Sequence, residues 1–419
     1  MKNHFHNPAL FSLDKIQDRG TNSETIFTQN RRLILKLIKN SDVITRKEII
    51  EKTGLKGATI TIIINEFLES GIIKKIGLME GTSGRRVMGF RFASEDYCTI
   101  SIRISVSYIK VGVYDLNNQN LYIKKIFFDT LSNINNTCDL IVDEVEAAKE
   151  TYKDKTVIGV GVGVEGPYVI QNGYYKLWQP RNTEEYFDIG KVLAEKIPYP
   201  ILVNKSNNFA VYHVWKKDRR SNQLGMLVNV YVSYTIECGI IINGEIVNGC
   251  SGTVGLLGSI PIQHDDKGGF KTLNDLCSST AIVNKAYECL EDYPTSSLQA
   301  AKSNINIRDV IRAFMNEDEL GVKIFSEVGI YLGRAVGTLI NLLNPDVILI
   351  GDEMPQSKRM HDIIETEARK YCNRSIHFNL HMDEIDFEAS RDSKKDTTLL
   401  GASMYVADAF LQSMRFNNE

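Results

Sequence analysis

Apolar residues at helical spacing (Ile26, Leu33, Leu37, Ile38) predict a first helix over residues 25–39. Thr45 with Glu48 three residues on is a capping pattern that opens a second, short helix. Thr53-Gly54-Leu55 closes it, since glycine takes the left-handed conformation past a helix end without a Cβ penalty. After a turn of three to four residues a third helix begins around Ala58, with Ile60, Ile63, Ile64 and Phe67 as its apolar face. That spacing is a helix-turn-helix. The strand-like runs GIIKKIGL and VMGFRF then bracket a glycine-punctuated segment with Arg85 and Arg86 at its tip, a hairpin that reads as a wing. Residues 25–93 therefore predict a winged helix-turn-helix, a DNA reader, behind a polar and loosely ordered stretch, residues 1–24.

From Tyr97 the period changes to two. CTISIRISVSYIKVGVYDLNNQNLYIKKIFF predicts two or three antiparallel strands turning at Asn117-Asn118. A helix over 138–152, the buried strand VIGVGVGVEGPY, a helix over 187–197, the strand PILVNKSNN and a helix over 209–219 follow. The texture then repeats. Strands GMLVNVYVSY and CGIIINGEIVNG turn at Asn243-Gly244, a helical region runs over 273–314 into a helix over 325–343, and strand DVILIGD and a helix over 399–410 close the chain. Strand meanders alternating with helices, twice over, predict an α/β body of two similar lobes with a cleft between them, residues 97–419.

Composition adds three constraints. The 419 residues suggest two or three domains, and 43% hydrophobic with 24% charged residues is the balance of a soluble globular protein. No apolar run reaches the ~18 residues that span a bilayer, and the N-terminus lacks the apolar core of a signal peptide, so no membrane partner and a cytoplasmic location are expected. Seven scattered cysteines without a C-x-x-C pair point to reduced thiols. The net charge of −3 conceals a basic head on an acidic body: residues 1–90 carry 15 Lys/Arg against 9 Asp/Glu. That asymmetry places a nucleic-acid contact at the head.

In the third helix Lys56, Thr59, Thr61 and Asn65 face away from the apolar set and are the candidates for base edges and phosphates in a major groove. Ile62 lies where a polar or basic residue is expected, which leaves the base code unread. Arg85 and Arg86 would enter a minor groove or clamp phosphates. Arg31 and Arg32, near the start of the first helix, meet phosphate or form a solvated face.

Several motifs resemble the ROK family (repressors, open reading frames and sugar kinases), specifically its winged-helix transcriptional repressors. They are GTSGRRVMGF, VGVYDLNNQ, GVGVEGP, ILVNKSNNFA, CGIIINGEIVNGCSGTVGLLG, LINLLNPDVILIGD and LLGAS, spread over about residues 25–410. The resemblance implies an actin-like ATPase/hexokinase fold for the two-lobed body. It also implies where a sugar kinase would keep its chemistry, and this sequence departs from the family there. The catalytic carboxylate of an Asn-Asp-Ala-Asn run is replaced by Lys205 in Asn204-Lys205-Ser206-Asn207. A lysine of ordinary pKa ~10.4 cannot act as the base, so Lys205 pairs with an anionic ligand or, the favoured expectation, holds the cleft closed by a salt bridge. The phosphate turns are replaced by residues 101–107 and 233–237, where Tyr234 and Glu237 would obstruct a triphosphate. The zinc motif is reduced to Gly255-Leu256-Leu257-Gly258-Ser259, leaving His264 as an exposed loop histidine and Cys277 as a buried thiol. No ATP and no zinc cofactor are therefore expected. Glu165, Asn182, Asn204, Lys205, Asn207 and Ser259 are the residues expected at an effector cleft. Tyr174, Tyr175 and Trp178 either stack on a sugar ring or simply pack.

These readings converge on a non-enzymatic transcriptional regulator of carbohydrate-related genes, a repressor, acting as a homodimer or homotetramer on a double-stranded DNA operator. Its effector would be a sugar or sugar derivative, or else the body serves only as a scaffold that holds two heads together. The alternative is an ATP-dependent sugar kinase of the same family.

Overall fold

The computed structural model describes residues 23–80, 86–105, 108–130, 134–166, 168–171, 174–178, 186–217, 225–264, 268–382 and 396–413. The head contains α1 (Ser23–Lys39), β1 (Ile44–Thr45), α2 (Arg46–Thr53), α3 (Gly57–Glu69), β2 (Ile73–Glu80) and β3 (Arg86–Phe92). Thr45 and Glu48 form the full capping box, and Gly54 ends α2 with φ +68°, accepting the left-handed turn that the sequence predicts. β2 and β3 pair antiparallel as the wing's two strands, and the two-residue β1 adds to the outer edge of β3. Arg85 and the rest of the wing tip lie outside the described residues.

The register of α1 differs from expectation. Ile34, Leu35 and Ile38 are buried, whereas Ile26 and Leu33 lie on the exposed side. The helix turns this way because its inner face meets two surfaces, α3 on one side and the body on the other. The head core of Ile34, Ile38, Ile49, Ile60, Ile63 and Phe67 runs without a break into Leu116, Ile158, Val406 and Ala407 of the body.

The body holds β4 (Tyr97–Ile104), β5 (Tyr108–Asp115), β6 (Asn120–Phe127), α4 (Ile134–Thr151), β7 (Thr156–Val164), the small hairpin sheet β8 (Tyr168–Gln171), β9 (Tyr174–Trp178) and β10 (Phe187–Asp188), then α5 (Ile189–Lys196), β11 (Ile201–Lys205) and α6 (Ser206–Lys217). The second lobe follows with β12 (Met226–Val232), β13 (Ile236–Ile242), β14 (Glu245–Ile246), β15 (Pro261–His264), β16 (Phe270–Thr272), α7 (Leu273–Cys277), α8 (Ser279–Cys289), α9 (Ile307–Met315), α10 (Glu319–Leu343), β17 (Val347–Asp352), α11 (Lys358–Tyr371) and β18 (Asn379–Met382). The last helix, α12 (Thr397–Ser413), returns to the first lobe, where it packs on α6, β7 and β4.

The two five-stranded sheets have one topology. Their orders are β11-β7-β4-β5-β6 and β14-β13-β12-β17-β18. In each, the first three strands form an antiparallel meander and the last two join parallel on the side of the first strand. Asn118 (φ +64°) and the Asn243-Gly244 pair (φ +51° and +88°) make the predicted meander turns with left-handed backbone. Each lobe has its own apolar core.

Three expected boundaries move. Ser206, Asn207 and Asn208 open helix α6 rather than finishing a strand, and Phe187-Asp188 form β10 ahead of α5. α10 starts at Glu319, two turns early, because the Asp318 carboxylate caps the amides of Leu320 and Gly321. His264 is exposed as expected but lies in β15, packed on the Phe270 ring, and Cys277 is buried.

Candidate functional site

The structure offers two sites, the outer face of α3 and the floor between the lobes. In α3, Ile60, Ile63, Ile64 and Phe67 are fully buried, so the opposite side of the helix is fixed by the 100° step per residue. Lys56 is the exposed N-cap residue and uses no side-chain cap bond, which leaves its ammonium at the mouth of the helix. Asn65 is exposed, and its Oδ1 accepts from Arg46 Nη2 at 3.3 Å. Thr59 and Thr61 occupy the two flanks and are half-buried. Arg32 is exposed. Arg31 is a correction: its guanidinium makes two 2.8 Å bonds to the Glu66 carboxylate and sits 4.3 Å over the Phe27 ring, so it ties α1 to α3 instead of facing phosphate. Asn182 and Arg85 lie outside the described residues, as do the side chains of Arg86, Tyr174, Tyr175 and Trp178.

Between the lobes, β11 delivers Lys205 to its C-terminal end, where it is 1% exposed. Its ammonium donates to the Val254 carbonyl of the second lobe. Gly255, at φ +93°, makes that possible: the strand-like bond from Cys238 N–H to the Gly255 carbonyl (2.7 Å) holds the loop on β13, and a Cβ there would lie 1.8 Å from the Cys238 oxygen. Burial pushes the Lys205 pKa down, and the fields of Glu237 and Cys238 oppose that. Burial likewise pushes the Glu237 carboxyl up against the pull of Lys205. The expected salt bridge is thus a hydrogen bond to a carbonyl, with Glu237 acting beyond ion-pair distance. Glu237 itself is buried in β13 rather than standing on a phosphate turn, while Tyr234 is the exposed residue of that turn.

The other cleft candidates bond to separate partners. Asn204 Oδ1 accepts from the Lys205 amide and from Asn208 Nδ2, both at 2.8 Å, and Asn207 exchanges amide contacts with Asn229. Both asparagines are buried. Ser259 is exposed at the end of a 3₁₀ turn. Glu165 accepts from Arg103 (2.9 Å) and from the Ser105 hydroxyl (2.7 Å).

Arg103 is the functional residue that sequence reasoning did not single out. From the end of β4 its guanidinium reaches Glu165, Asp396 (3.6 Å) and, across the cleft, the Tyr231 hydroxyl of β12. Lys110 adds a second cation on Asp396 at 3.1 Å. Asp352, at the end of β17, is a non-glycine residue at φ +68°, and burial drives its carboxyl well above the usual range against the pull of Arg103. The only signal in the sequence was a single charged residue in an otherwise uncharged strand, β4. Arg103 and Tyr231 join the first and second lobes across the cleft. Among the described residues no group of three His, Cys, Asp or Glu side chains is placed to hold a metal ion.

The comparisons with known proteins fit this geometry. A model described as the ROK family matches residues 99–409, nearly the whole body. The chain belongs to the ROK family. A second model, winged helix-turn-helix DNA-binding, matches residues 27–74, so this ROK protein carries a DNA-binding head. It is 23% identical to the xylose repressor of Bacillus spizizenii strain W23 over 92% of this chain and 97% of that one. Among solved structures it is similar to a ROK family transcriptional regulator described as a homolog of the E. coli MLC protein, with TM-score 0.75, 22% identity and coverage of 92% and 97%. A ROK family glucokinase from Streptomyces griseus, solved with glucose and AMPPNP, shares the fold of the body alone: TM-score 0.59, 18% identity, 73% of this chain and 98% of that one. The two-lobed sugar-kinase fold behind a winged helix is the fold of a ROK regulator. No described helix is long and apolar enough to cross a membrane.

Proposed function

We propose that this ROK protein is a repressor of carbohydrate-related genes whose body has lost phosphotransfer. It acts in the cytoplasm as a homodimer or homotetramer, pairing its heads on a palindromic operator. A sugar or sugar derivative is the effector, taken between the lobes. The observation that carries this reading is Lys205: the position of the catalytic carboxylate is filled by a buried cation bonded to a carbonyl of the opposite lobe. An ammonium held by a carbonyl acceptor has no lone pair to take a proton from a sugar hydroxyl, and losing such a base removes a contribution of ~10²–10⁴ to the rate. The Arg103–Tyr231 contact across the same cleft supports a function without ATP, and the absence of any His or Cys from residues 255–259 supports one without zinc. The likeness to a protein named xylose repressor supports carbohydrate genes as the target.

A gel-shift titration against the DNA upstream of the chain's own gene tests the first half. Binding should weaken about 10³-fold or more between ~50 and ~200 mM salt as counterions return to the phosphates, and Arg85→Ala with Arg86→Ala should weaken it at every salt concentration. Undiminished binding by the double variant would take the wing out of the mechanism. A coupled assay for hexose phosphorylation tests the second half: turnover by the purified protein that disappears in Lys205→Ala would overturn the reading of the body.

A further inference from the structure

The buried face of α3 is centred on Ile60, Ile63, Ile64 and Phe67. Stepping 100° per residue, the line diametrically opposite passes through Ala58, Ile62 and Asn65, with Glu69 at its far end. All four are exposed. Thr59 and Thr61 lie to either side of that line and are half-buried, so the residues that project furthest from the head are not the threonines. At the centre stands Ile62, 52% exposed. Leaving half of an isoleucine in water on the outermost row of a helix forgoes the gain of burying it, and the described residues of the head do not close over it. Ala58, one turn before, adds a second apolar surface. Asn65, one turn after, is oriented by Arg46, whose guanidinium is itself held over the Phe90 ring at 5.5 Å.

A major groove presents one apolar feature, the 5-methyl group of thymine, and the side chains that meet it are apolar ones. We propose that Ile62 is a specificity-determining residue that packs on a thymine methyl, so that the head selects A·T pairs at the centre of each half-site. Asn65, exposed one turn on and with a second lone pair left on the Oδ1 that accepts from Arg46, supplies the two-bond pattern that reads adenine N6 and N7 next to it. Cytosine lacks the methyl and offers an amino donor to a side chain that cannot accept it. The row therefore discriminates by losing an apolar contact and by leaving a polar group unpaired. This inference rests on the reading of the head as a DNA reader and adds the chemistry of its target.

The test uses the full chain and a duplex that it selects from a random pool. Each deoxythymidine of that duplex is replaced in turn by deoxyuridine, which removes only the methyl. One replacement per half-site should cost about fourfold in affinity, the worth of one buried methyl. Ile62→Ala should lose a similar factor on the parent duplex and show no further loss on the deoxyuridine duplex. Ile62→Val, which keeps a branched apolar tip, should retain most of the discrimination. Salt-sensitive binding with no deoxyuridine effect, or an effect undiminished in Ile62→Ala, would overturn the methyl contact and leave DNA binding standing. Failure to bind any duplex at low salt would overturn both. A deoxyuridine penalty that survives in an Ile62→Ala protein of altered sedimentation mass would assign Ile62 to contact between copies and overturn the inference as well.

Discussion

His213 lies in α6, 9% exposed, with no hydrogen-bond partner for its Nδ1 among the described residues. Burial, helped by the nearby Lys217 charge, pushes its pKa down to about 4. An unfolded histidine titrates near ~6.5. Below that pH the unfolded chain takes up a proton that the folded chain refuses until about pH 4, so His213 stabilises the fold above ~6.5 and that contribution is lost as pH falls toward 4. Urea unfolding at about pH 7 and about pH 5 should show the wild type losing roughly 2 kcal/mol more than His213→Phe; equal losses would mean that the ring is not held neutral. Such a role was invisible in the sequence, where His213 is one polar residue in an amphipathic run. Thr45, Glu48 and Gly54 were legible, because a cap is decided by residues three to nine apart. Arg31 was not, because its partner Glu66 is 35 residues away and only the packing of α1 on α3 brings them together.

Strand β7 shows what an alternating pattern can carry. Its valines face the lobe core, while Gly159, Gly161 and Gly163 leave the other face bare. On that bare face lies α12, so close that a Cβ on the three glycines would stand 2.9, 2.9 and 2.8 Å from Val406, Ala402 and Thr398. On its other side α12 meets α6 through Gly401, where a Cβ would fall 1.7 Å from the Phe209 carbonyl oxygen. The obstacle is backbone, which cannot rotate away. Gly401→Ala should therefore force the two helices apart and cost about 1–3 kcal/mol or more in urea unfolding. Gly57→Ala, whose Cβ would meet only Ile50 at 3.6 Å, should be neutral or gain up to ~1 kcal/mol. A harmless Gly401→Ala would contradict this packing. The GVGVGV run announced β7, but not what covered it. Helix α11 and strand β18 were missed altogether: α11 buries only Met360, Ile364, Glu367 and Ala368 among many charges, and β18 is four residues long.

At the scale of the molecule, α12 runs from the edge of the cleft to the buried core of the head. Its 17 residues span ~25 Å. Asp396, just before its first turn, is bonded to Arg103 and Lys110 in the cleft, and Thr99 meets Ser403 at 2.7 Å along its length. Its far half enters the head core through Val406 and Ala407, and there Asp408 receives Lys39 of α1 at 3.4 Å, Lys216 at 2.7 Å and the Tyr212 hydroxyl at 2.7 Å. Burial alone would raise the Asp408 carboxyl, yet Lys39 and Lys216 hold it lowered. The repeated strand texture made two lobes legible in the sequence; this junction was not, since Lys39 and Asp408 are 369 residues apart. Any change at the cleft edge of α12 would reach the head through this packing, and the linkage would run equally in the other direction. Removing the acceptor tests the tie itself. Asp408→Ala leaves two lysines and a tyrosine without their shared carboxylate, a loss of roughly 3 kcal/mol for a partly buried pair. Amide exchange in α1 should then quicken relative to the lobe cores, and calorimetry should resolve the head as a separate, earlier transition. Exchange in α1 that keeps pace with the lobes would show that the apolar contacts of Val406 and Ala407 hold the head without the ion pair, and would move the tie from Asp408 to them.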